Sequence, residues 1–362
     1  MSIFTAFIMF SAVQYMSLAD VPSTPREVTS VGLTLFVFAV GVGGEYPTSA
    51  SISASKLASA RVETSCLGIS ASSRTAYMFT LQSVGIYLNT LVTCIEYRIR
   101  GGADDMSWSL SYIIGAFLLG GVLTSRVHGY LRELYNDTVT HTVARDDVEF
   151  EFVEFQGGES IPPAPTPAPV PTPIPQSNLP TTMACSLAWF LWDIIFYSNK
   201  LHQDKFVSTL TTGGSFGARL FISHNIALLA LLGSFSGAWL VGREDFGAKK
   251  LQVLGGAAVA FLFLILFCIS SSVSPFFQRT SQLIFVVLSF VGQWVNVSTF
   301  VIPAVSFDGD FRTIGHGISA ASGKVGALVG VWLMGEVLDV RQGYMLCCLC
   351  SLLLSAITLV AL

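Results

Sequence analysis

Charged residues are scarce in this chain of 362 residues. Asp, Glu, Lys and Arg together make up 12% of it, whereas hydrophobic residues make up 52%. An ordinary soluble domain has about 25% charged residues, and the mean hydropathy here is +0.64. The composition therefore predicts an integral membrane protein. The net charge of -4 also excludes the strongly basic face that nucleic-acid-binding proteins use.

Cysteine and histidine do not occur in the spacings that hold a metal ion or a disulfide framework. The seven cysteines lie almost entirely in or beside apolar runs, without a CxxC or Cys/His pattern. We interpret them as packing residues. No combination of nucleophile, general base and oxyanion donors stands out either. The sequence thus predicts neither an enzyme nor a protein that binds a cofactor or a metal.

Long apolar runs predict an all-α membrane protein with about ten transmembrane helices. No alternating pattern of the kind found in outer-membrane β-barrels accompanies them. We interpret the first run as a retained span and not as a secretion signal, because no basic region precedes it. The runs lie near residues 1–19, 29–53, 68–95, 108–125, 181–199, 219–242, 250–271, 281–305, 315–338 and 343–362.

A Pro-rich segment separates two groups of these runs. Its sequence, PPAPTPAPVPTP from residue 162, excludes a helix and favours an extended chain. We therefore predict a partial N-terminal transmembrane bundle at 1–125, a Pro-rich linker at 126–180 and a six-helix C-terminal bundle at 181–362. The distribution of Lys and Arg favours the cytoplasmic side for the linker. The linker is either a plain spacer or a docking ligand for an SH3-like partner.

One apolar run contains a stripe of polar side chains. Trp189, Asp193 and Tyr197 are four residues apart, so on a helix their indole, carboxylate and phenol lie on the same side. A carboxylate inside the hydrocarbon region is costly and is by default functional. We expect this stripe to form one wall of a polar cavity.

Two further charged residues inside predicted spans bear on the function. Glu45 stands beside Pro47, which interrupts the backbone hydrogen bonds of its helix, and it is either a site residue or an acid that reaches the membrane interface. Lys324 lies in a run of small residues that permits close helix packing. A buried ammonium needs an anionic partner. Lys324 either forms a structural ion pair with Asp193 or binds an anion, with Asp193 nearby as a titratable group.

Three isolated polar residues have a less specific meaning. Gln82 and Asn296 lie within apolar runs, where an amide side chain either joins two helices by hydrogen bonds or binds a ligand. His316 is expected in a loop or at the start of a helix. None of the three indicates a function on its own.

Motifs that follow one another along most of the chain resemble those of the phosphate/proton symporters of the major facilitator superfamily. GVGGEYPTSASI at 41–52 resembles the family's GGDYPLSATI, and WFLWDIIFYS at 189–198 resembles WFLLDIAFYS. TFVIP at 299–303 and HGISAASGK at 316–324 are similar to TFVVP and HGISAAAGK. The resemblance implies a twelve-helix carrier fold of which this chain lacks the first two helices.

The same resemblance implies a function and a set of site residues. The function is secondary active transport of inorganic phosphate with protons, by alternating access around a site at the membrane midplane. The protein would be a multi-pass protein of the plasma membrane or of an internal membrane. Transport of another small solute, such as a sugar or an organic anion, and a non-transporting phosphate sensor or partner subunit are the alternatives. The implied phosphate contacts are Tyr46, Gln82, Trp189, Asp193, Tyr197, Asn296 and Lys324, and the implied proton-coupling residues are Glu45 and Asp193.

Overall fold

The computed structural model describes residues 50, 70–99, 101, 178–203, 215–271, 274–307, 309 and 311–362, together with several helical positions between 121 and 135. The chain divides into two compact units, and every helix described below belongs to the unit formed by Val42–Ser111 and Pro175–Leu362. The other unit, Met1–Gly41 with Tyr112–Ile174, is described only at the positions between 121 and 135. The Pro-rich linker lies almost entirely outside the described residues, so the predicted domain boundaries remain predictions.

Seven helices in the described part of the chain are long and apolar enough to cross a membrane. They coincide within a few residues with the third and the fifth to tenth predicted spans, whereas most of the other three spans lies outside the described residues. The prediction of an all-helical, multi-pass membrane protein is confirmed. We number the helices α1 (Ala71–Ile99), α2 (Leu179–Leu201), α3 (Phe216–Val241), α4 (Gly247–Ile269), α5 (Pro275–Ser306), α6 (Phe311–Trp332, followed by a π-helical turn at Leu333–Val337) and α7 (Val340–Ala361).

Several helices begin at residues that satisfy or replace the free backbone N–H groups of the first turn. Ser215 accepts a hydrogen bond from the backbone N–H of Ala218 at the start of α3. Asp339 and Gln342 form a reciprocal capping box at the start of α7. Pro275 is the first residue of α5, where a missing N–H costs nothing. These local signals fix where the helices emerge from the connecting segments.

Helices α2 and α6 approach each other so closely that their backbones touch. A Cβ atom added to Gly326 of α6 would collide with the carbonyl of Phe190 in α2, and one added to Gly330 would lie 2.5 Å from the carbonyl oxygen of Ile194. Small residues permit this kind of contact between membrane helices. The glycines therefore fix the position of α6 along α2, and with it the relative position of the polar residues on the two helices.

A buried amide joins three other helices. Gln252 of α4 donates a hydrogen bond to Thr299 of α5 over 2.8 Å and accepts one from Thr358 of α7 over 3.0 Å. All three side chains are buried. A polar group in an apolar interior must be paired in this way, and the pairing holds the helices together.

Most of the described cysteines pack inside the protein. Cys185, Cys347, Cys348 and Cys350 are buried free thiols, whereas Cys268 is exposed. No cluster of three or more metal-binding side chains occurs among the described residues. The interpretation of the cysteines as packing residues therefore holds for the buried four and does not explain Cys268.

Candidate functional site

The site is built around an ion pair between α2 and α6. Lys324 Nζ donates to Asp193 Oδ2 over 3.0 Å and to the Tyr197 hydroxyl over 2.8 Å. The ammonium also lies 4.3 Å from the centroid of the Tyr197 ring. Asp193 is only 2% exposed, whereas the side chain of Lys324 is 55% exposed. The pair thus has a buried anion and an accessible cation.

Gly323 makes this geometry possible, because the α6 backbone lies directly against the α2 stripe at this residue. A Cβ atom there would lie 2.8 Å from both Asp193 Oδ2 and Trp189 Nε1 and still closer to another atom of that indole. Any side chain at this position would push α6 away from α2. The residue before Lys324 therefore determines whether the ammonium reaches its carboxylate.

The Trp189 indole is held in place by an aromatic cluster and hydrogen-bonded to Asp193. Its ring lies edge-on to His316, with 5.3 Å between the ring centroids, and His316 lies edge-on to Phe300 at 5.1 Å. The backbone carbonyl of Phe300 lies 3.3 Å from His316 Nε2. Since a carbonyl can only accept, Nε2 carries the hydrogen and donates it.

This arrangement corrects the expectation for His316. The residue is neither in a loop nor at the first position of a helix. It lies in the second turn of α6, where it is 0% exposed. An isolated histidine in a Gly- and Ser-rich segment gave no indication of this burial, because its neighbours Trp189 and Phe300 come from other helices.

A cavity next to the ion pair collects most of the predicted site residues. It contains about 260 Å³ of empty space, part of which is open to solvent. Six of the seven predicted phosphate contacts line it, and they come from α1, α2, α5 and α6. Tyr46 and Glu45 lie outside the described residues, and the role of the six in binding remains a prediction. The lining residues are Phe79, Gln82, Trp189, Asp193, Phe196, Tyr197, Asn296, Phe300 and Lys324.

Asn296 both lines the cavity and joins helices by hydrogen bonds. Its Oδ1 accepts from Trp192 Nε1 over 3.0 Å, and its Nδ2 donates to Gln293 Oε1 over 3.1 Å. Ser83 of α1 donates to the same Gln293 oxygen over 3.5 Å. Asn296 thus contacts another helix and also lies in the cavity wall. The two interpretations of this residue, helix contact and ligand contact, do not exclude each other. The sequence analysis missed Trp192, Gln293 and Ser83, although Trp192 differs from the leucine at the corresponding place in the family motif.

The described lining residues of the cavity combine one charge of each sign with several hydrogen-bond donors. Among these nine residues, the charged ones are Asp193 and Lys324. An indole, a phenol and two side-chain amides surround this pair and can each donate a hydrogen bond. Protonation of Asp193 would leave a single positive charge among these donors. Such a site has the chemistry to hold a small oxyanion.

Comparison with known proteins gives relatives whose names share one function. No family model matches the chain. It is 28% identical to "Probable inorganic phosphate transporter 1-8" of Arabidopsis thaliana, over 84% of this chain and 61% of that protein. It is 27% identical to "Probable inorganic phosphate transporter 1-12" of Oryza sativa subsp. japonica, over 87% of this chain and 64% of that protein. "Inorganic phosphate transporter 1-2" of the same rice is 28% identical, over 85% and 64%.

The chain thus spans less than two thirds of the length of these curated relatives. The matched region nevertheless covers more than four fifths of this chain, in which the family motifs occur. The resemblance inferred from these motifs is confirmed: the chain is homologous to plant inorganic phosphate transporters, and its described helices fit a helical bundle of the major facilitator type.

Proposed function

We propose that the protein is a secondary active transporter of inorganic phosphate, that protons drive the transport, and that the cavity beside Lys324 and Asp193 is opened alternately to the two sides of the membrane. The observation that supports this most is the shared cavity of six predicted contact residues around a half-exposed lysine. The names of the relatives agree with this substrate.

Lys324 supplies the positive charge that an oxyanion requires. Its ammonium has three N–H groups, and two of them are donated to Asp193 and Tyr197. The third remains for a ligand, and the exposure of the side chain allows a ligand to reach it. Charge-assisted hydrogen bonds of this kind are the strong ones. Phosphate would therefore bind at the ammonium, with a further donor from Asn296 and with the Trp189 indole as a lining contact.

Asp193 is proposed as the switch that couples phosphate to protons. Two unit negative charges about 4 Å apart repel each other by about 4 kcal/mol at an effective dielectric constant of about 20. This energy corresponds to about a thousandfold change in affinity. A protonated, neutral Asp193 would allow phosphate to bind beside it, whereas an ionised Asp193 would repel phosphate from the site. An external proton would thus load the site, and its loss on the other side would empty it.

Two residues outside the described part complete the proposal. Tyr46 is a further phosphate contact and Glu45 a second proton-exchanging acid. Both assignments depend on the GVGGEYPTSASI motif, in which Glu45 takes the place of the family's aspartate. Glutamate and aspartate side chains can each exchange a proton inside a membrane protein, so the replacement preserves the proposed chemistry.

The test uses the purified full chain in lipid vesicles. An inwardly directed proton gradient should drive the uptake of radiolabelled phosphate above its external concentration, and collapsing the gradient with a protonophore should abolish this accumulation. Excess unlabelled phosphate should compete, whereas glucose and simple carboxylates should not. Competition by glucose or carboxylates in place of phosphate would indicate another substrate. Phosphate binding without flux would indicate a sensor and would contradict the proposal.

A further inference from the structure

We propose that Trp192 is a positioning residue for the phosphate site: its indole N–H fixes the side-chain amide of Asn296 so that an amide N–H, and not the amide oxygen, faces the bound anion. The inference rests on the proposed function and adds a residue that no motif assigned to it. It concerns specificity, because the orientation of one amide decides whether a cavity wall attracts or repels an oxyanion.

The chemistry of tryptophan determines which atom of Asn296 it contacts. An indole N–H is a donor only. The Asn296 atom that lies 3.0 Å from Trp192 Nε1 must therefore be the acceptor, Oδ1. The amide oxygen is thus committed to α2. The amide nitrogen, which has two hydrogens, points to the opposite side of the group.

A second contact holds the amide nitrogen. Asn296 Nδ2 donates one hydrogen to Gln293 Oε1 over 3.1 Å. Ser83 donates to the same oxygen, so the Gln293 amide is itself held with its oxygen toward Asn296. Only the second Asn296 N–H remains uncommitted by these contacts, and Asn296 lines the cavity that contains Lys324. An anion in the cavity meets this N–H.

Packing fixes the position of the Trp192 side chain. Its side chain is buried and stacks at a tilt on Phe196. The far edge of the indole passes over Gly292, where an added Cβ would lie 3.4 Å from Cη2. The family motif has leucine at this position, as WFLLDIAFYS shows. Leucine has no donor, so this chain has a restraint on Asn296 that the motif sequence does not encode.

Removing the restraint should weaken binding without changing the protein's architecture. With phenylalanine at residue 192, only the hydrogen bond to Gln293 still opposes a turn of the Asn296 amide. The amide oxygen should then turn toward the cavity more often, where it would repel an oxyanion. A hydrogen bond of this type is typically equivalent to about a threefold to tenfold change in an equilibrium constant. The loss should appear in phosphate affinity and not in the maximal rate, because Trp192 does not itself touch the anion.

The first experiment compares two Trp→Phe variants of the full chain in proton-driven phosphate uptake. Trp192→Phe should raise KM for phosphate about threefold to tenfold with an unchanged maximal rate. The matched control is Trp294→Phe, because the Trp294 indole also donates a hydrogen bond, to Ser236 over 2.9 Å, and does not line the cavity. It should leave KM unchanged. Trp192→Leu, which restores the motif residue, should raise KM in the same way if the phenylalanine variant folds poorly.

The second experiment is a double-mutant cycle that distinguishes positioning from general packing. Asn296→Ala alone should raise KM, and Trp192→Phe added to it should raise KM no further, because the amide that Trp192 orients is gone. Additive effects, or a wild-type KM in both Trp192 variants, would overturn the positioning role while leaving the proposed function intact. A wild-type protein that neither binds nor transports phosphate would overturn the proposed function, and the positioning role with it.

Discussion

Lys324 and Asp193 form an ion pair over 3.0 Å although 131 positions separate them in the chain. The two partners differ sharply in environment, because the carboxylate is buried and the ammonium is half exposed. Losing the lysine would therefore leave a buried charge without compensation, whereas losing the aspartate would leave a cation that an anion from the cavity can reach. The two ends of this pair should respond differently to substitution.

Replacing Lys324 should abolish both its proposed contact with phosphate and its ion pair with Asp193. Lys324→Gln leaves the Asp193 carboxylate unpaired, and removing one partner of a buried ion pair typically costs about 3–5 kcal/mol. We expect phosphate uptake to fall by about a hundredfold or more. The control is Lys250→Gln, since Lys250 is exposed and donates to the backbone carbonyl of Asp245 at the surface. Near-normal uptake by Lys324→Gln in vesicles would contradict the proposed site.

Replacing Asp193 should separate phosphate binding from the coupling of transport to protons. Asp193→Asn keeps the size of the side chain and removes its titration, so the variant should bind phosphate but lose accumulation driven by a pH gradient. Phosphate binding by equilibrium dialysis and uptake at several external pH values measure the two effects. Asp245→Asn is the control, because Asp245 is exposed and pairs with Arg243 at the surface over 3.0 Å. Concentrative, pH-dependent uptake by Asp193→Asn would show that another group carries the proton.

A single methyl group should disturb the site through the helix contact. Gly323→Ala would place a Cβ atom against Trp189 and 2.8 Å from Asp193 Oδ2, and overpacking of this kind typically costs about 1–3 kcal/mol. We expect weaker phosphate binding and a lower temperature of thermal unfolding. Gly85→Ala is the matched control, because among the described residues no atom outside the nearby turns of its own helix lies within 4 Å of the added Cβ. An alanine within a helix is favourable, so this control should unfold at the same or a higher temperature.

His316 should contribute to stability more than to binding. His316→Ala removes a buried ring between Trp189 and Phe300 and leaves a cavity, which typically costs about 2–4 kcal/mol. Thermal unfolding of the detergent-solubilised protein measures this loss. His128 is exposed, and its replacement by alanine should change stability by less than about 0.5 kcal/mol. Equal unfolding temperatures for the two variants would show that the aromatic cluster does not support the fold.

The stripe on α2 could be predicted from the sequence because it depends on one helix only. Residues four apart fall on one side of a helix whatever surrounds it, so Trp189, Asp193 and Tyr197 were expected on a common wall. The approach of Lys324 to Asp193 was foreseen for a different reason. A buried charge requires a partner, and few charged residues fall within the apolar runs.

The supporting contacts of the site could not be predicted because they depend on how helices meet. The Trp192–Asn296–Gln293 hydrogen bonds join α2 to α5, and no spacing in the sequence indicates that these two helices face each other at those residues. The burial of His316 likewise results from the close approach of three helices. In the sequence, Gly323 was one of several small residues that permit close helix packing, whereas its specific contact with Asp193 depends on the register of α6 along α2.

The contact between Gly323 and the Trp189 indole has a consequence for how sequences of this kind diverge. A Cβ atom at residue 323 and a full indole at residue 189 cannot occupy the same space, so neither position can drift independently of the other. We expect covariation in homologous chains: wherever the glycine is replaced by alanine or serine, the tryptophan should be replaced by a smaller ring. A lineage that acquired the larger residue first would lose its site before the compensating change arose.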